Sequence, residues 1–195
     1  MSEPAVAPWS PSPRLDRPGR GAVARRLAEI LRVDQAGELG AVHIYRGQQA
    51  VFAAARGKAA VAARLADMGA HEAVHLAAFD ALLTRRRVRP TLLAPLWRAA
   101  GFALGAGTAL MGERAAHACT EAVETVIERH YGDQVAELER SEPELAADLA
   151  RFRDDELGHR DEAVAQGARE APGHAVLSAV IQAGCRAAIK LTEKL

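Results

Sequence analysis

Two four-residue motifs, Glu72-Ala-Val-His75 and Glu156-Leu-Gly-His159, constrain this chain more than anything else in it. Residues three apart on an α-helix share one face, so each motif can aim a carboxylate and an imidazole at a single ion. Each motif has a glutamate upstream on a preceding helix: Glu38 stands 34 residues before Glu72, and Glu124 stands 32 before Glu156. The motifs are 84 residues apart and the upstream glutamates 86, so the chain reads as an internal duplication with one loop change. A lone Glu-x-x-His arises easily on a Glu-rich helix and belongs to a solvated face. Two copies, each partnered by a glutamate at a matching distance, do not.

One Glu from each of two helices and a Glu-x-x-His from each of two others form the inward-facing ligand set of four-helix di-metal carboxylate bundles. Glu38, Glu72, His75, Glu124, Glu156 and His159 are therefore the expected metal ligands. Oxygen donors with imidazole suit iron or manganese, whereas zinc more often takes thiolate or three ligands to one ion. Two iron ions per chain are expected. Four buried carboxylates without cations would cost more than a domain's net stability of roughly 5–15 kcal/mol, so the metal-free protein should be weakened. Glu121, Glu128 and Asp155 lie within a turn of these ligands and read as hydrated flank. Asp34 and Asp155 have a second reading, as acceptors for a ligand imidazole.

The rest of the sequence suits a bundle. At 195 residues one domain is the prior. Alanine, leucine, arginine and glutamate dominate while strand-forming residues are sparse, so an all-α fold follows. Gly and Pro punctuation places helices at about 23–55, 59–86, 96–111, 113–140, 143–170 and 174–194, with Ser141 as the N-cap of the fifth. Residues 1–22 hold five of the nine prolines, lack the apolar core of a signal peptide, and are expected to form a disordered lead to a domain spanning 23–195. With 25 basic and 25 acidic residues the chain lacks the charge of a nucleic-acid binder. Its two cysteines, Cys119 and Cys185, form no C-x-x-C and read as core residues of a reducing compartment.

The two tyrosines, Tyr45 and Tyr131, each follow an upstream glutamate by seven residues, two turns along the same face. They are either buried core phenols or deliver electrons or protons, and His130 beside Tyr131 is a further candidate for that role. The stretch from Thr91 to Gly112 is apolar apart from Arg98 and follows a cationic run containing Arg85, Arg86, Arg87 and Arg89. Its two readings are a hydrophobic hairpin packed through glycines and a surface for peripheral membrane contact, with Trp97 and Phe102 entering the bilayer.

More specific features join these. They are Val33-Asp-Gln-Ala-Gly-Glu-Leu-Gly40, Ile44-Tyr45, Gly47-Gln48, Arg89-Pro-Thr91, Pro95-Leu-Trp97, Gly101-Phe-Ala-Leu-Gly-Ala-Gly107, Ala118-Cys119-Thr120, Ala122-Val123-Glu124, His130-Tyr131 and Phe152-Arg-Asp-Asp-Glu156. From about Ala24 to the C-terminus the chain resembles the Coq7 family, the demethoxyubiquinone hydroxylases. It departs from the family pattern at Gln35, Leu39 and His43, none of them a proposed ligand.

The resemblance implies a ferritin-like four-helix bundle with additional apolar, membrane-facing helices, and the same six residues on two irons. It implies hydroxylation by O2 of a polyprenyl methyl-methoxy-benzoquinol in ubiquinone synthesis. The chain has no G-x-G-x-x-G dinucleotide motif, so electrons come from an external donor, NADH being a candidate, or from the quinol itself. The expected location is peripheral, on the cytoplasmic face of the inner membrane, and a homo-oligomer is a candidate assembly. The competing function is a ferritin-like iron store or peroxide scavenger, which would share the ligands but need no lipid-facing segment.

Overall fold

A computed structural model describes residues 20–195, and its described residues contain helices and no strand. Of the expected lead, 1–22, residues 1–19 lie outside the described residues, whereas 20–22 form the first turn of a helix. Helix α1 (Arg20–Ala54) is antiparallel to α2 (Ala59–Arg86), and α4 (Glu113–Leu138) to α5 (Pro143–Ala165). Between the hairpins α3 (Ala94–Leu110) returns along α1, and the last helix, α6 (His174–Thr192), lies against α4 and touches α1. The expected helices are all present. The fifth differs at both ends: its N-cap is Glu142 and not Ser141, with no side-chain cap bond, and it stops at Ala165 instead of reaching 170. Gly167 there adopts a left-handed φ of 88° and turns the chain into a short 3-10 segment, Ala168–Glu170.

Two apolar plugs bracket the bundle centre. At one end Ile30, Leu31, Phe79, Leu82, Tyr131, Leu138, Leu145 and Leu149 pack together. At the other, Tyr45, Phe52, Leu65 and Met68 pack with Ala109 of α3 and Ala116 of α4. A third cluster, Ile44, Cys119, Ala122, Val123 and Ile181, joins α1 and α4 to α6. Cys119 is buried and Cys185 half-buried, both as free thiols, and burial pushes them up to about 12 and about 11.

Helix α3 packs one face and leaves the other exposed. Its inner face is a glycine seam against α1: a Cβ on Gly101 would lie 2.6 Å from the Gly40 carbonyl oxygen, and one on Gly105 would overlap that of Ile44. Its outer face, with the preceding turn, leaves Leu92, Leu96, Phe102, Leu110 and Met111 exposed. Trp97 is not among them. It turns inward, and its indole N–H donates to Thr192 Oγ1 at 3.1 Å, tying α3 to the end of α6.

The seam predicts opposite outcomes for two glycines of one helix. Gly105→Ala forces α3 away from α1 and should lose about 1–3 kcal/mol in urea denaturation. Gly107→Ala, with nothing within 4 Å, should be neutral or gain up to about 1 kcal/mol in helix propensity.

Candidate metal centre

All six expected ligands meet in one buried layer between the plugs. Glu38 and Glu124 come from α1 and α4; Glu72 with His75, and Glu156 with His159, come from α2 and α5. Their donor atoms fall into two overlapping groups, Glu38–Glu72–His75–Glu156 and Glu72–Glu124–Glu156–His159, each with its atoms within 4.8 Å of one another. Glu72 and Glu156 belong to both groups, so they are the carboxylates placed to be shared, with Glu38 and Glu124 at the outer ends.

Each imidazole turns Nδ1 inward. His75 Nδ1 lies 3.2 Å from Glu156 and 3.7 Å from Glu38, and His159 Nδ1 lies 2.9 Å from Glu72. Outward, His75 Nε2 is 3.2 Å from Asp155 Oδ2, so Asp155 takes the imidazole-partner role that its position allowed. Asp34 does not. It accepts from Gln134 Nε2 at 2.8 Å and lies 3.4 Å from His130 Nε2. The other flanking carboxylates face away: Glu121 receives Arg169 and His174, and Glu128 receives Arg160.

The tyrosines cross between halves. Tyr45, seven residues after Glu38, donates to Glu124 at 3.2 Å, and Tyr131, seven residues after Glu124, donates to Glu38. Both are buried, and burial followed by the nearest glutamate raises each phenol well above its ordinary value, so each stays a donor. His130 is not in the ligand layer. It stands half-buried behind Asp34, on the wall of a hollow of about 250 Å³ lined also by the charged residues Arg129, Asp133, Arg186 and Lys190.

The charges fit cations. Burial, then the charge of Glu156, raises Glu38 to about 8 and holds Glu72 and Glu124 well above the carboxylate range. Burial opposes charge on Glu156 too, but the imidazole of His159, its Nδ1 3.4 Å away, and a hydrogen bond from His75 outweigh it and bring it to about 2. Oxygens of Glu38, Glu72, Glu124 and Glu156, together with His159 Nδ1, are buried without a hydrogen-bond partner. Inward-facing orphan donors of this type are what two divalent cations would satisfy.

Against this geometry stand the comparisons with known proteins. The family model described as ubiquinone biosynthesis protein COQ7 matches residues 25–192. The chain belongs to the Coq7 family. It is 52% identical over 178 residues to the 3-demethoxyubiquinol 3-hydroxylase of Rhodospirillum rubrum, covering 91% of this chain and 82% of that protein. It is 48% identical over 185 residues to the human mitochondrial NADPH-dependent 3-demethoxyubiquinone 3-hydroxylase, covering 93% and 82%. The Saccharomyces cerevisiae mitochondrial 5-demethoxyubiquinone hydroxylase matches at 42% over 189 residues, covering 89% and 80%. The Coq7 resemblance read from the motifs is thus the family of the whole described bundle.

Sequence reasoning passed over His71, whose ring stacks on His159 with centroids 5.8 Å apart. The signal was available, since His71 precedes Glu72 as Asp155 precedes Glu156.

The raised carboxylates make the metal-free protein pH-sensitive. A group whose folded pKa lies above its unfolded value loses its stabilising contribution as pH rises through the folded value, and Glu38 spans 4.5 to about 8. Metal-free protein should therefore melt at a lower temperature at pH 8 than at pH 6 in differential scanning calorimetry. Added divalent iron should restore stability most at pH 8, because it replaces the protons.

Proposed function

We propose that this chain hydroxylates the ring of a polyprenyl methoxy-methyl-benzoquinol, demethoxyubiquinol, in ubiquinone biosynthesis. One oxygen atom of O2 enters the ring, the other leaves as water, and two electrons and two protons balance the reaction. Glu38, Glu72, His75, Glu124, Glu156 and His159 would hold two iron ions. Iron supplies the redox chemistry with O2 that no side chain here provides.

The observation that carries this reading is an apolar groove of about 410 Å³ beside the carboxylate layer. Gly37, Gly40, Ala41 and Ile44 of α1 and Val123, Val126 and Ile127 of α4 form its floor, with α3 and α6 as its walls. Gly37 and Val123 are the chain neighbours of Glu38 and Glu124. Small floor residues leave room for a flat ring, and apolar walls suit a prenyl tail and exclude water. Tyr45 and Tyr131 orient the two outer glutamates. His130 with Asp34, 3.4 Å apart at the hollow, and Tyr131, which donates to Glu38 further in, mark the candidate route for protons or electrons. A donor must lie outside the chain, a reduced nicotinamide cofactor or the quinol itself; NADPH dependence is part of the human relative's name. The iron-store alternative leaves the groove unexplained.

A prenylated substrate resides in a bilayer, and we place the protein peripherally on the cytoplasmic face of the inner membrane. The exposed apolar residues of α3, together with Val176 and Val180 of α6, form the contact, and Arg85, Arg87 and Arg89 are exposed beside it. By length and composition α6 could cross a membrane, with a mean hydropathy of 1.3, but its packing along α4 favours lying in the interface.

Cells lacking this chain should accumulate demethoxyubiquinone, cleared by re-expression, when quinones are profiled by mass spectrometry. An unchanged quinone pool would sink the assignment. The purified protein should hold about two irons after anaerobic loading. Glu124→Ala should lower that toward one, and Glu72→Ala, which touches both groups, should lower it further. For the membrane contact, Leu96→Ser with Phe102→Ser should release the protein from anionic liposomes while iron content and helicity stay unchanged. Trp97 is spared because it holds α6. Sedimentation equal to wild type would assign those side chains to another role.

A further inference from the structure

The inner ligands are duplicated, but the groups behind them are not. A shift of 86 residues carries Glu38 onto Glu124, Tyr45 onto Tyr131 and Gln48 onto Gln134, and a shift of 84 carries Glu72 onto Glu156 and His75 onto His159. The same shifts carry Asp34 onto Thr120 and His71 onto Asp155. Both exchanges place the extra carboxylate on one side. Behind His75, Asp155 Oδ2 lies 3.2 Å from Nε2. Behind His159 the equivalent residue, His71, stacks at an interplanar angle of 17°, an arrangement without a hydrogen bond. His159 Nε2 makes no hydrogen bond to any described residue. One turn before Glu38 is the buried carboxylate of Asp34; one turn before Glu124 is Thr120, whose buried hydroxyl is unpartnered.

We propose that the two metal positions are unequal, the one held by Glu38 and His75 binding a divalent cation more tightly than the one held by Glu124 and His159. Asp155 and His71 are the positioning residues that set the difference. This rests on the six residues being metal ligands. An imidazole that ligates through Nδ1 exposes its Nε2–H on the far side. A carboxylate accepting that proton fixes the tautomer and ring orientation and makes the ligating nitrogen more basic; losing such a partner costs about 10–100-fold in metal affinity. A stacked ring supplies neither effect. The centre then loads in order, the Glu38 position first, and the Glu124 position exchanges its ion more readily.

Half-site variants separate the two positions. His159→Ala leaves the Glu38 position and His75→Ala the Glu124 position, and cobalt(II) binding to each is followed by visible absorption. The dissociation constant should be about tenfold or more lower in the His159→Ala protein. Asp155→Asn should weaken binding only in that background. His71→Asp, which writes the missing carboxylate into the other half, should strengthen binding only in the His75→Ala background. Should a half-site variant lose its helicity, the intact chain gives the same reading. With one equivalent of iron-57(II) under anaerobic conditions, its Mössbauer spectrum should show one dominant doublet, and Asp155→Asn should show two of similar area. Equal affinities in the two half-site variants, or two equal doublets in the wild type, overturn the proposal. Failure of the intact chain to bind cobalt or iron at all would instead overturn the ligand assignment beneath it.

Discussion

Four glutamates held in one buried layer set the terms for the rest of this molecule. Desolvation and mutual repulsion disfavour their charge, and the two neighbouring imidazoles relieve only Glu156 fully. The remaining features read as responses to that load. Apolar plugs above and below make the layer dry, which strengthens each interaction inside it. Phenols with raised pKa values donate to the outer glutamates without adding charge. Broken on one side, such a layer would leave an uncompensated buried charge, which is more costly than never having had it.

The duplication made the layer readable before any coordinates. Spacing alone picked out the six residues, because a helix converts an interval of three into a shared face and a repeat of about 85 residues into a second copy. The direction of the tyrosines could not be read that way. Seven residues place Tyr45 on the same face of α1 as Glu38, but a long side chain on an inward face reaches the opposite helix, and the partner is Glu124. Trp97, expected to point outward, is half-buried for a related reason. Composition marks an apolar segment but not which residues on it turn inward, and here an indole N–H needed the acceptor that Thr192 offers. The end of α5 is set by backbone geometry at Gly167, which composition does not show because an isolated glycine in a helical pattern is tolerated.

Asymmetry runs through a molecule whose motifs repeat. The first hairpin is followed by α3 and the second by α6, so the two additions meet as opposite walls of one groove and leave the α2–α5 side bare. Asp155, exposed although it faces His75, lies on that bare side. The bundle thus has a greasy flank and an aqueous flank, with the carboxylate layer between them. The proposed hydroxylation of a membrane-borne ring would use both, the first to receive the substrate and the second to exchange ions and protons.

The crossed tyrosines carry a consequence for how the two hairpins assemble. Each half keeps a glutamate whose hydroxyl donor belongs to the other half, so neither α1–α2 nor α4–α5 completes its own polar inventory. The hairpins relate to one another as the subunits of an obligate dimer whose two chains have been fused. Their docking and the completion of the glutamate layer become a single cooperative event.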